Sequence, residues 1–152
     1  MNPLAKIDTS VIKATKMLGI PFARFAIFAV YFWFGILKLF GTSPANPLVD
    51  ALLAATLPFM TFSQFIIILG VYEMLVGITF LIPRMERIAI FLLIPHLFVT
   101  TMPLILLPSI TWQAPFVPTL EGQYIIKNLL IVAVALGLAA HLEPHKKSKH
   151  LK

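Results

Sequence analysis

The sequence predicts an all-α integral membrane protein, a bundle of four transmembrane helices, and three observations lead there. Of the 152 residues, 59% are hydrophobic and 12% charged, with a mean hydropathy of +0.94. Soluble domains hold roughly 45–50% apolar residues. Four apolar stretches are each long enough to cross a hydrocarbon layer about 30 Å thick, which takes about 20 helical residues. The cations are also segregated: ten of the twelve Lys and Arg lie before or at the opening of the first stretch, between the second and third, or after the fourth. Connections 41–63 and 108–120 contain neither residue.

That asymmetry gives the topology. By the positive-inside rule both termini face the cytoplasm. The net charge of +6 is then explained by orientation and by anionic lipid, so nucleic acid is not expected as a partner. The chain has no cysteine, which removes disulfides, thiolate metal sites and dithiol redox chemistry.

Residues 1–21 form a cytoplasmic basic segment. Val11, Ile12, Ala14 and Leu18 alternate with Lys13 and Lys16 after Asp8, Thr9 and Ser10, which suit caps, so residues 8–18 predict a short interfacial helix. A secretory signal is not expected, because the apolar run that follows is too long.

The bundle occupies residues 22–142. Span one is predicted over 22–40, with Phe28, Tyr31, Phe32, Trp33 and Phe34 in its middle. Asn46 as N-cap and Pro47 at the first helical position open a short helix to about Thr56. Too short to cross, it should lie on the outer face or dip into it, and Pro58 ends it. Span two covers 62–82 and closes in the charged turn Pro83-Arg84-Met85-Glu86-Arg87. Span three covers 88–107, where Pro95 and Pro103 leave carbonyls without donors and predict a kink. Residues 108–120, with Trp112, Phe116 and several prolines, suit a rigid outer loop. Span four covers 121–142, and residues 143–152 are a Lys-rich cytoplasmic tail.

Within the spans the informative residues are the ionisable ones, since each costs several kcal/mol at the membrane centre unless it is paired, neutral or wet. At about 1.5 Å of rise per residue, Glu73 and His96 fall near the midplane, Lys38 and Lys127 in the outer third, and Glu121 at the outer mouth. Signs and depths predict a cluster opening outward, in which Glu73 faces Lys38 or Lys127 and Glu121 caps the entrance. Gly35 precedes Lys38 by one turn, and Gly70 and Gly77 flank Glu73, so each charge shares a face with small residues that let helices approach closely. Tyr124 and Asn128, beside Lys127, could donate to a ligand carbonyl or satisfy one another. His96 follows a proline and is expected to bond a freed carbonyl rather than ligate haem, since no second midplane histidine stands ready. No metal site is expected; His141 and His145 are separated by Pro144.

Several of these segments occur together in a known family. Arg24 opening span one, Gly35-Ile36-Leu37-Lys38 near its end, Glu73-Met74-Leu75-Val76-Gly77 in span two, Pro83-Arg84 closing it, and Glu121-Gly122-Gln123-Tyr124-Ile125-Ile126-Lys127-Asn128 in span four resemble the DoxX-like family over about residues 20–140. The resemblance implies a bacterial or archaeal inner-membrane protein of four helices. Some relatives are subunits of thiosulfate:quinone oxidoreductase, and others accompany oxidative-stress or sulfur-stress systems. It carries over Lys38, Glu73 and Lys127 as buried charged positions and gives His96 no counterpart.

Two kinds of function fit these residues. A membrane subunit of a quinone-linked oxidoreductase would hold a quinone or small anion with Lys38 and Lys127 and exchange protons at Glu73. Having no soluble domain for a tightly bound cofactor, it would be an accessory subunit beside an oxidoreductase partner. Alternatively, a small transporter or channel for a weak acid or anion would need a homodimer, four spans being few for alternating access. Buried charges that only specify helix packing make a third reading, a membrane scaffold.

Overall fold

The computed structural model describes residues 3–142; the Lys-rich tail and His145 lie outside them. In chain order the elements are α1 (Pro3–Leu39), α2 (Asn46–Thr56), α3 (Phe62–Leu81), α4 (Glu86–Thr101), α5 (Pro103–Leu106), α6 (Pro108–Thr111), β1 (Trp112–Ala114), β2 (Val117–Pro118) and α7 (Leu120–Ala139). Among the described residues four helical stretches are long and apolar enough to cross a membrane: Leu4–Leu39, Phe62–Leu81, Glu86–Leu106 and Leu120–Ala139. Their outward surfaces are apolar, with Phe91, Phe98, Ile105, Leu129 and Leu130 all exposed, consistent with an all-α helical membrane protein.

Short connections fold the helices up and down. Residues 82–85 join α3 to α4 at what we call the arginine end, where Arg24, Arg84 and Arg87 gather. At the opposite, hairpin end, α2 links α1 to α3, and α6 with the antiparallel β1–β2 hairpin links the third span to α7. The chief packing is α1 against α3, where Gly35, Gly70 and Gly77 bring the two backbones together.

The core is a stripe on each helix. Ile27 and Tyr31 of α1, Val76 and Phe80 of α3, Ala89 and Leu93 of α4, and Ala135 and Leu138 of α7 are buried together, each pair at three- or four-residue spacing. This apolar half of the core lies toward the arginine end. Continuing the same stripes toward the hairpin end brings in Lys38, Glu73 and His96.

Three local expectations differ from the fold, each for a physical reason. The interfacial helix and span one are one continuous helix of 37 residues with Pro21 inside it. Proline withdraws a single N–H, and the carbonyl it frees lies on a surface where water can satisfy it. Asp8, Thr9 and Ser10 therefore are not caps; the Thr9 and Ser10 hydroxyls instead donate back to the carbonyls of Ala5 and Lys6. Asn46 is likewise not the cap of α2, because its side-chain amide donates to the Gly41 carbonyl at 3.2 Å.

Of the two prolines expected to kink span three, Pro103 interrupts it, the regular helix ending at Thr101 and resuming as α5, while Pro95 stays within α4. Pro103 cannot donate, and the Met102 N–H turns to the Val99 carbonyl at 3.2 Å, tightening the turn before α5. The outer loop is built rather than merely rigid. Pro108 opens α6, the Trp112 indole N–H donates to the Leu104 carbonyl, and Phe116 turns the hairpin with φ of 61°, in the left-handed region seldom used by aromatic residues.

Candidate functional site

The site starts from helix contact. Because Gly35 and Gly70 lack side chains, α1 and α3 approach until a Cβ at Gly35 would stand 2.6 Å from the Gly70 carbonyl oxygen. One turn along each helix come Lys38 and Glu73, which this approach carries into direct contact. Lys38 Nζ donates to Glu73 Oε2 at 2.6 Å, and the two side chains are only 5% and 7% exposed.

The other carboxylate oxygen has its own partner. Glu73 Oε1 lies 3.0 Å from His96 Nε2, and His96 Nδ1 lies 3.1 Å from the Tyr31 hydroxyl. An ionised carboxylate can only accept, so Nε2 carries the hydrogen, and in a neutral ring Nδ1 then accepts from Tyr31. One hydrogen-bond sequence therefore runs from Tyr31 through His96 to Glu73 and Lys38, across three helices. A protonated His96 would add an uncompensated positive charge to this buried group.

Tyr31 packs edge-on against the imidazole, with ring centroids 5.1 Å apart, and Tyr72 lies face-on at 6.3 Å. Tyr72 also donates to the Leu92 carbonyl at 2.6 Å. That carbonyl lies four residues before His96, in the turn that Pro95 disturbs. The carbonyl that Pro95 itself frees is that of Phe91, and His96 bonds neither carbonyl through its side chain; its imidazole turns to Glu73 and Tyr31 instead.

Of the residues singled out in the sequence, Lys38, Glu73 and His96 come together, and the others stand apart. Lys127 is exposed on α7, its ammonium 5.2 Å from the centroid of Tyr124, itself 61% exposed. Glu121 is exposed at the start of α7. The Asn128 amide is 3.5 Å from the Thr100 hydroxyl, a contact between α7 and α4. The expected outward pocket with Lys127 on one wall and Glu121 over its mouth is therefore not what the helices build. α7 turns Ile125 and Gly122 inward, and a Cβ at Gly122 would collide with the Thr111 carbonyl. That packing fixes the rotation of α7 and leaves Lys127 outside. Among the described residues no three His, Asp or Glu side chains converge as metal ligands would.

Tyr31 is the residue that reading the sequence missed, for it looked like one aromatic among many. Its signal was phase: it lies seven residues before Lys38 and so on the same face. Arg24 was also underread. Its guanidinium donates to the Phe80 and Ile82 carbonyls at 2.7 Å each and to Glu86 at 2.6 Å, clasping the α3–α4 turn.

Comparisons with protein-family models, with curated proteins and with solved structures find no match to this chain.

Proposed function

We propose that this is a DoxX-like multi-pass protein of a bacterial or archaeal inner membrane, both termini cytoplasmic, that serves as the proton-handling membrane subunit of a quinone-linked oxidoreductase or stress-response complex. The observation that carries the reading is the buried sequence Tyr31–His96–Glu73–Lys38. Ionisable groups at such depth are costly and usually mark a proton or ligand path.

The proton steps follow from the bonding. Glu73 can take the Nε2 proton of His96 as Nδ1 takes the phenolic proton of Tyr31. This leaves Tyr31 as phenolate and moves the negative charge from Glu73 to Tyr31, so each transfer is completed only when a proton from outside the row returns to the phenolate. Lys38 donates to the other carboxylate oxygen throughout. Along α1 the row extends about 10 Å, from near the hairpin end to the middle of the span, at 1.5 Å per residue. That is the depth a lipid-soluble quinone samples. Its reduction takes up two electrons, supplied by the partner subunit, and two protons, each of which would be passed by one transfer along the row followed by re-protonation of Tyr31.

The measurement is quinone-analogue binding by the purified, reconstituted protein as a function of pH, in wild type, Glu73→Gln and His96→Gln. Pulling the analogue's pH dependence out of both variants supports the reading. Equal binding and an equal pH profile in wild type and Glu73→Gln overturn it.

A second reading has its own observation. In the Lys38–Glu73–His96 group every partner is already a protein group, as suits charges that fix helix register in a scaffold. Under it, replacing Lys38 and Glu73 together by Met preserves function, while either single change damages folding.

A further inference from the structure

The first half of α1 lies outside the bundle core. Residues 4–22 are exposed throughout, and a helix of 37 residues is about 55 Å long at 1.5 Å per residue, well beyond a hydrocarbon core of about 30 Å. The excess projects from the arginine end and is amphipathic. Leu4, Ile7, Val11, Ala14 and Leu18 recur at alternating spacings of three and four and form one stripe, while Lys6, Thr9, Lys13 and Lys16 occupy the opposite face. Only Asp8 opposes the lysines in charge.

We infer that this arm is a binding surface for the anionic lipid of the leaflet at the arginine end, reached by bending at Gly19–Pro21. The inference depends on span one crossing a membrane and is independent of the redox reading. A stripe of this size left in water is unfavourable, and the arm, continuous with a span, begins at the membrane surface. Pro21 takes one donor out of the helix, and a side chain at Gly19 would meet nothing within 4 Å, so bending there breaks no tertiary contact. An apolar hollow bordered by Ala14, Leu18, Pro21, Phe22 and Phe25 marks the same place. Lying flat, the arm puts its stripe among acyl chains and its lysines among phosphates, each lysine strengthening attachment about fivefold on an anionic surface. A second copy of the arm suits the stripe less well. Coiled coils need three to four heptads and complementary flanking charges, whereas here Pro21 takes the next stripe position and Asp8, Ser10, Thr15 and Met17 flank it.

With no native cysteine, Val11→Cys and Thr9→Cys give single attachment points for an environment-sensitive fluorophore on opposite faces of the full-length protein. The proteins are reconstituted in phosphatidylcholine alone and in phosphatidylcholine with about one third phosphatidylglycerol. The Val11 label is expected to shift to the blue and be quenched by doxyl lipids only with phosphatidylglycerol, the Thr9 label staying in water. Adding Lys6→Gln, Lys13→Gln and Lys16→Gln returns the Val11 label to water. A Val11 label equally exposed in both vesicles overturns the inference. So does a Val11→Cys disulfide between copies in both, which would make the stripe a dimer contact.

Discussion

Gly35 and Gly70 meet backbone to backbone: a Cβ on Gly35 would lie 2.6 Å from the Gly70 carbonyl oxygen, and one on Gly70 would lie 2.9 Å from that of Gly35. The approach is reciprocal and both obstacles are main chain, which cannot rotate aside. Gly35→Ala is therefore expected to push α1 from α3 and cost about 1–3 kcal/mol, the usual penalty of overpacking. Thermal unfolding in detergent measures it. Gly19→Ala is the control, because open space surrounds Gly19 and alanine is the better helix former by about 1 kcal/mol.

Lys38 and Glu73 should show strong non-additivity. Removing one partner leaves the other as an uncompensated buried charge, so Lys38→Met or Glu73→Met alone should cost about 3–5 kcal/mol. The joint change removes both charges and should cost less than their sum, measured by a double-mutant cycle on unfolding. Lys127→Met, on an exposed surface of α7, should leave stability near wild type. A large loss there would mean that Lys127 meets an acid which the isolated chain does not hold.

Arg24 makes a prediction about shape as well as charge. Three of its bonds reach two carbonyls and one carboxylate around the end of α3, a fan that suits a planar guanidinium and not an ammonium. Arg24→Lys should therefore fail to restore the stability lost in Arg24→Gln, a loss of about 1–3 kcal/mol for charged hydrogen bonds. Equal stability of Arg24→Lys and wild type would show that charge alone suffices.

How much of this was legible depended on whether a property is local. Span existence and the α2 segment followed from hydropathy and from Asn46-Pro47, although the cap itself did not, since nothing local says that Asn46 reaches back to Gly41. The Lys38–Glu73 contact followed from phase, because the glycines one turn away dictate which face meets another helix. Lys127 shows the boundary of that reasoning: depth and sign made it as eligible as Lys38. Its exclusion comes from Gly122 packing under Thr111, a contact between distant segments that rotates α7. Tyr31 was hidden because its partner, His96, stands on another helix, 65 residues along the chain, and nothing local to Tyr31 names it.

The ring of His96 carries the most specific prediction. With Glu73 accepting from Nε2 and Tyr31 donating to Nδ1, the imidazole should be neutral, with its proton on Nε2. Nitrogen-15 spectra of histidine-labelled protein, with His96→Asn assigning the signal, should show a protonated Nε2 and a hydrogen-bonded, unprotonated Nδ1. Tyr31→Phe removes the donor to Nδ1 but leaves the carboxylate contact, so the Nδ1 resonance should move toward that of a free acceptor while Nε2 changes little. Glu73→Gln should do the reverse and disturb Nε2 first. If both nitrogens are protonated in the wild type, the row bears an extra positive charge, and the transfer from Tyr31 to Glu73, which needs an unprotonated Nδ1, has no starting state.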